Sequence, residues 1–102
     1  MVLVYITCKD EKEAIKISKR LLEKRLIACS NMHPIRSMYW WKGKMQDEKE
    51  IAILAKTIDK NYDKIKEEVS KMHSYDVPCI LKIGAEANES YEQWVKGEVE
   101  QQ

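Results

Sequence analysis

The apolar positions of this chain follow two rhythms: short runs without polar alternation, and longer stretches with apolar residues three or four apart. Val2 to Thr7 is of the first kind, mostly β-branched and aromatic, the pattern of a strand covered on both faces. It predicts a central strand. Asp10 then stands three residues before Glu13, so that Asp10 can accept from an early backbone N–H while Glu13 reaches back, and a helix is expected to start there. Ala14, Ile17, Ser18 and Leu21 share one face at helical spacing, widened by Ile15 and Leu22, while Lys16, Lys19, Arg20, Glu23 and Lys24 face water.

Leu26-Ile27-Ala28-Cys29 is again a continuous apolar run, interrupted by Ser30 to Pro34 before Ile35 resumes. Proline cannot donate to a ladder, so this predicts a bend or bulge in an edge strand, or a break between two strands. From Ile35 to Lys42, the residues Ile35, Ser37, Tyr39 and Trp41 point one way and Arg36, Met38, Trp40 and Lys42 the other. A turn at Lys42-Gly43-Lys44 returns the chain into a strand over 48–57, whose stretch Ile51 to Ala55 is apolar on both faces. Asp59 is expected to cap a second helix with Tyr62, Ile65, Val69 and Met72 inward. Residues 77–85 predict a strand with Pro78 near its start and Gly84 near its end. Asn88 or Ser90 is expected to cap a short helix carrying Tyr91, Trp94, Val95 and Val99, in which Gly97 costs about 1 kcal/mol relative to alanine.

The order β-α-β-β-α-β-α predicts an α+β fold: a ferredoxin-like β-α-β-β-α-β sandwich with a long central hairpin and an extra C-terminal helix. At 102 residues it is expected to be a single domain over positions 1–102. Helices on one sheet face leave the other bare. Met38, Trp40 and the second face of the 51–55 strand then form a patch larger than monomers usually expose, so self-association is expected to cover it.

Charge narrows the function classes. Charged residues make up 34% of the chain, but 18 basic and 17 acidic side chains leave a net charge of +1, which argues against a nucleic-acid partner. The Tyr39-Trp40-Trp41 run therefore reads as packing between subunits rather than a base-stacking platform. No apolar run approaches the roughly 20 residues a bilayer requires, so no membrane association is expected. Three cysteines, Cys8, Cys29 and Cys79, are an odd number at wide spacing. They fit reduced thiols in a cytoplasmic protein better than a disulfide framework.

Phosphate-cradling glycine loops and hydrolase or zinc-protease motifs are all missing, and the expectation is a protein that is not an enzyme, with no catalytic residues. Metal binding is the sharper reading. Cys8, Cys29, Cys79, Met32, His33 and His73 offer thiolate, thioether and imidazole donors suited to copper or Zn(II). Cys29-x-x-Met32-His33 is the nearest local cluster, although Cys29 also fits a core position beside Ile27 and Ala28, and His33 an exposed loop. His73 follows the last turn of the second helix, where an imidazolium suits the helix dipole and could bond Asp76 or the last carbonyls.

Five stretches, taken together, resemble the CutA divalent-cation-tolerance family. They are Arg25-Leu26-Ile27-Ala28-Cys29-Ser30-Asn31, Tyr39-Trp40-Trp41-Lys42-Gly43-Lys44, Leu54-Ala55-Lys56-Thr57, His73-Ser74-Tyr75-Asp76-Val77-Pro78, and Tyr91 with Trp94. The resemblance implies a ferredoxin-like subunit in a homotrimer and a role in tolerance to copper and other divalent cations. It also implies Cu(II) or Zn(II) binding, not as an obligatory cofactor, at the positions matched here by Cys29 and His73, with Cys8 where some members also carry cysteine. Ser74 and Lys9 stand where prolines are common in the family. The alternative is a small-ligand signalling trimer of PII-like type, which would call for a long mobile loop and a basic phosphate-binding cluster.

Overall fold

The computed structural model describes residues 1–100. Strand β1 (Val2–Cys8) leads into helix α1 (Glu11–Glu23), followed by β2 (Cys29–Trp41) and β3 (Lys44–Thr57). A 3-10 turn at Asp59–Asn61 opens into α2 (Tyr62–Met72), and β4 (Ile80–Gly84) and α3 (Glu89–Val99) complete the chain. The four strands form one antiparallel sheet in the order β2-β3-β1-β4. Two crossovers through α1 and α2 produce that order, which is the α+β fold expected from the sequence, a four-stranded antiparallel sheet with three helices.

Period two decides which face each strand residue takes. Val4, Ile6 and Cys8 lie opposite Ala55, Ile53 and Ile51, and together they meet Ile17 and Leu21 of α1 and Ile65 and Val69 of α2 in one buried cluster. Each such Ile or Leu side chain contributes about 1.5–3 kcal/mol by leaving water. Their neighbours Leu3, Tyr5 and Thr7 point to the other face, which carries neither α1 nor α2.

Asp10 caps α1 as expected, accepting the Glu13 N–H at 2.8 Å, but Glu13 reaches one residue further back than a capping box does, to the Lys9 N–H. At the other end Arg25 takes a left-handed φ of 57°, and the Leu26 and Arg25 N–H groups donate to Leu21 and Leu22 carbonyls at 3.0 Å. This is a Schellman closure that packs Leu26 onto Leu21. Its carbonyl end is then sealed, because Thr57 Oγ1 and Asn61 Nδ2 both donate to the Leu26 oxygen.

Three sequence expectations need correction. Pro34 neither bends nor breaks the chain: β2 runs unbroken through it, with Pro34 paired to Ile51. Because β2 is an edge strand, half of its N–H groups have no partner strand, and a missing donor is accommodated there. Asp59 does not cap α2, which shows no side-chain cap; its carboxylate instead takes Lys82 Nζ at 2.8 Å. Strand β4 begins at Ile80 rather than Val77, since Val77 to Cys79 have no strand partner.

The hairpin turns on Lys42 and Gly43, both with positive φ (50° and 78°). Two such residues mark a type I′ turn, whose twist matches that of the flanking strands. Thirteen and fourteen residues in its arms make the hairpin the long dimension of a body of 44 × 26 × 21 Å. Helix α3 contacts β3 and is tied to the end of the sheet near Thr57, through Arg25 Nη1 to Glu98 at 2.7 Å and the N-terminus to Glu92 at 3.7 Å.

Candidate functional site

Cys8 ends β1 on the helix-covered face, Glu13 sits in the first turn of α1, and His73 closes α2, where its backbone N–H donates to Val69 O at 2.9 Å. These three elements meet at one corner. There a thiol, a carboxylate and an imidazole place one ligand atom each within 4.8 Å of one another, the only such group of three or more among the described residues.

Backbone groups hold two of the three side chains. Glu13 Oε1 accepts the Lys9 N–H at 3.0 Å, and Oε2 accepts the Ser74 N–H at 2.9 Å. His73 Nε2 lies 2.7 Å from the Thr7 carbonyl and must donate to it, while Nδ1 accepts the Tyr75 N–H at 3.1 Å. The ring is therefore the neutral Nε2–H tautomer, and it bonds Thr7 and Tyr75 instead of Asp76 or the last helical carbonyls. Nδ1 remains 4.0 Å from Glu13 Oε1.

Burial pushes the Cys8 thiol up to about 12, with Glu13, Glu50 and Asp10 adding in the same direction, so the sulfur carries its proton. For Glu13, burial also favours the neutral form. The bonds from Lys9 and Ser74 outweigh it and hold the carboxyl below its ordinary range.

The structure brings Cys8 and His73 together and leaves Cys29 apart. Leu3 and Cys29 both pair with Lys56, whereas Cys8 stands five residues further along β1. An odd separation means the opposite face, and five residues of strand span roughly 17 Å. Cys29 instead neighbours Asn31 at 3.9 Å and Tyr91, beside the bond from Lys56 Nζ to Asn31 Oδ1. Cys79 lies on the open face, where burial and Glu50 raise its thiol above the ordinary range.

That open face holds a groove of about 790 Å³ along the hairpin. Tyr5, Tyr39 and Trp41 supply aromatic wall, Glu48 and Glu50 supply carboxylates from β3, and Tyr75 and Asp76 close one side. Glu50 is only 6% exposed, and its side chain accepts from the Tyr75 hydroxyl at 2.5 Å. Burial, then the Glu50 carboxylate, push the Tyr75 hydroxyl far above its ordinary value; Tyr39 is raised by burial, by its bond to Glu48 and by Glu50. The groove's one basic side chain, Arg36, is already paired twice with Asp47, at 2.8 and 2.6 Å. A smaller hollow of about 430 Å³ lies between α1 and α2, where Arg20 and Lys24 both bind Glu68 and leave that carboxylate matched.

Sequence reasoning missed Glu13 as a partner of the cysteine and histidine because its spacing from Asp10 reads fully as capping. It missed Glu50 and Tyr75 because 25 residues separate them and only the sheet brings them together.

Comparison with known proteins agrees with this geometry. A family model described as CutA1 divalent ion tolerance protein matches residues 2–98. The divalent-cation tolerance protein CutA of Pyrococcus horikoshii is 41% identical over 96 residues, covering 93% of this chain and 94% of that protein. The solved structure of the periplasmic divalent cation tolerance protein CutA from Archaeoglobus fulgidus superposes with a TM-score of 0.93 at 40% identity, over 97% of this chain and 99% of that one. The PII-like protein CutA from Nostoc sp. PCC 7120, in apo form, superposes at 0.89 with 25% identity, over 97% of each chain. With the strand order, the hairpin and the matched residues all in agreement, the chain belongs to the CutA1 divalent-ion tolerance family.

Proposed function

We propose that this protein contributes to divalent-cation tolerance as a non-enzymatic homotrimer that binds Cu(II) or Zn(II) at Cys8, Glu13 and His73. The observation that carries the reading is the convergence of sulfur, oxygen and nitrogen donors within 4.8 Å. One soft and two borderline-to-hard donors suit these two cations. Entry of the ion has a cost that the hydrogen bonds define: the Cys8 proton must leave, and His73 Nδ1 must give up the Tyr75 N–H. Binding should therefore release a proton and strengthen with pH.

Calorimetry with Cu(II) and Zn(II) under reducing conditions tests this. Wild type and Cys29→Ser should bind alike, while Cys8→Ser and His73→Gln should lose at least tenfold in affinity, with circular dichroism confirming that each variant folds. Equal binding by wild type and a folded Cys8→Ser would remove the site. The free thiols suit a reducing compartment, the cytoplasm, although the Archaeoglobus relative is described as periplasmic.

The trimer part rests on two exposures. The open face leaves Leu81 and Ile83 at 51% and 43% in water, and β2 presents a thirteen-residue edge with unpaired backbone groups. Long bare edges recruit further strands, so neighbouring copies are the natural cover. Among the described residues no helix is long and apolar enough to cross a membrane.

A second reading, a PII-like small-ligand trimer, is favoured by the groove and by the likeness to the Nostoc protein. Against its phosphate-binding form, the turn of the hairpin is two residues long and the groove is acidic rather than basic.

A further inference from the structure

We infer that metal occupancy of the Cys8 corner is carried to the open sheet face by Tyr75, which is bonded to the corner through its backbone and to Glu50 through its side chain. The coupling presupposes metal binding at that corner, as proposed, and gives that binding a consequence. Tyr75 donates its N–H to His73 Nδ1 at 3.1 Å and its hydroxyl to Glu50 at 2.5 Å, and its ring lies 4.7 Å from the imidazole. Those two bonds end on opposite sides of the sheet. His73 belongs with Cys8 and Glu13 on the helix-covered side, whereas Glu50 precedes Ile51, the partner of Cys8, by one residue and so takes the other face. One residue thus joins the two faces near the end of β1.

The two nitrogens of the His73 ring are not held equally. Nε2 donates to the Thr7 carbonyl of β1, a strand paired with both β3 and β4. Nδ1 accepts from Tyr75, in the connection 73–79 that belongs to no helix or strand, and it is the atom 4.0 Å from Glu13 Oε1. Nδ1 is therefore the nitrogen that can turn to an ion. Its one lone pair cannot serve both the ion and the Tyr75 N–H, so binding releases the Tyr75 backbone. The hydroxyl at the other end of the residue then loses its fixed position against Glu50. That carboxylate is almost fully buried in the single chain, and assembly can only bury it further, so its bond to Tyr75 resists the movement. The two events oppose each other: the Tyr75–Glu50 bond weakens metal binding, and metal weakens that bond by the same factor. A filled corner thereby shows itself on the face where copies of the chain are expected to meet.

Zn(II), titrated at one pH under reducing conditions into the full-length protein in its native oligomeric state, provides the test. Calorimetry reads affinity, and NMR reads the Glu50 carboxyl and the Tyr75 amide. Tyr75→Phe keeps every candidate ligand and every charge but removes the bond to Glu50, so it should bind Zn(II) about three- to tenfold more tightly than wild type. Loss of a ligand or of a merely structural contact would weaken binding instead. In wild type, saturation with Zn(II) should shift the Glu50 carboxyl resonance and speed exchange of the Tyr75 N–H about tenfold. In the Tyr75→Phe protein the Glu50 resonance should stay in place, and in His73→Gln, at the same Zn(II) concentration, neither signal should respond. Should Tyr75→Phe fail to fold, the wild-type signals and His73→Gln carry the comparison. A wild type that binds Zn(II) with an unmoved Glu50 resonance, or a Tyr75→Phe protein that binds it equally or more weakly, overturns the coupling and leaves the metal site standing. A wild type that binds no Zn(II) overturns both.

Discussion

Strands β1 and β3 present two faces that differ in kind. On the helix-covered face, Val4, Ile6, Cys8, Ile53 and Ala55 are fully buried, and the polar groups that reach it are matched: Thr57 to Leu26, Glu13 to Lys9 and Ser74, His73 to Thr7 and Tyr75. On the open face Leu3, Tyr5, Thr7, Leu54 and Lys56 stay half-buried, and three carboxylates beside them meet no cation among the described residues. One face is closed by its own chain, and the other is left incomplete. A side chain on the first therefore acts through stability, and one on the second through what it contacts beyond the chain.

The largest expected effect tests the closed face. Ile53→Ala should lose about 2–5 kcal/mol, because a fully buried side chain leaves a cavity that the packed helices cannot fill. Leu81→Ala, on the open face, should lose less than about 0.5 kcal/mol in a lone chain and more than 1 kcal/mol where a second copy covers it. Urea denaturation at one protein concentration reads both, since oligomer stability depends on concentration. Sedimentation should give three times the 12.0 kDa chain mass, and Leu81→Lys should lower it. A wild type sedimenting as the single chain would break the contrast, leaving the open face bare.

Next in size is the Glu13 corner. Its folded carboxyl is held below the ordinary value of about 4.3, so its stabilisation is complete above that value and disappears as pH falls through the lower folded one. Glu13→Gln places an amide against one of two backbone donors and should lose about 1–3 kcal/mol at pH 7. Measured in metal-free buffer, the gap between wild type and variant should narrow steadily below about pH 4. A gap that stays constant with pH would assign the loss to packing instead.

Much of the closed face was legible in the sequence and little of the open one. Ala14, Ile17 and Leu21 announce α1, and Asp10 its start, because helix period and capping are local. Gly43 announces the turn for the same reason. Pro34 misled because its tolerance depends on β2 being at the edge, which is a property of strand order. Asp59 misled because Lys82, 23 residues away, competes for its carboxylate. The candidate metal ligands show the same boundary: Cys8 and His73 stood out by residue type, but only the pairing of Leu3 and Cys29 with Lys56 reveals that Cys29 faces away from them. Glu50 looked like one more surface charge, since nothing local says that Tyr75 will cover it.

The smallest expected effect sets the scale for the others. Gly97 lies inside α3, and beyond its own helix backbone and chain neighbours nothing lies within 4 Å of the position a Cβ would take, so it belongs to neither sheet face. Gly97→Ala should therefore stabilise by about 0.5–1 kcal/mol, through helix propensity and a less flexible unfolded chain rather than through any contact. Differential scanning calorimetry resolves a change of that size, worth about 2–8 °C for a domain of this length. A gain in that range marks this side of α3 as solvated in the native assembly, and so confines the cover between copies to the hairpin and the open face. A loss would mean that a neighbouring copy packs against Gly97, and the division between a self-sufficient face and an incomplete one would have to be extended to α3.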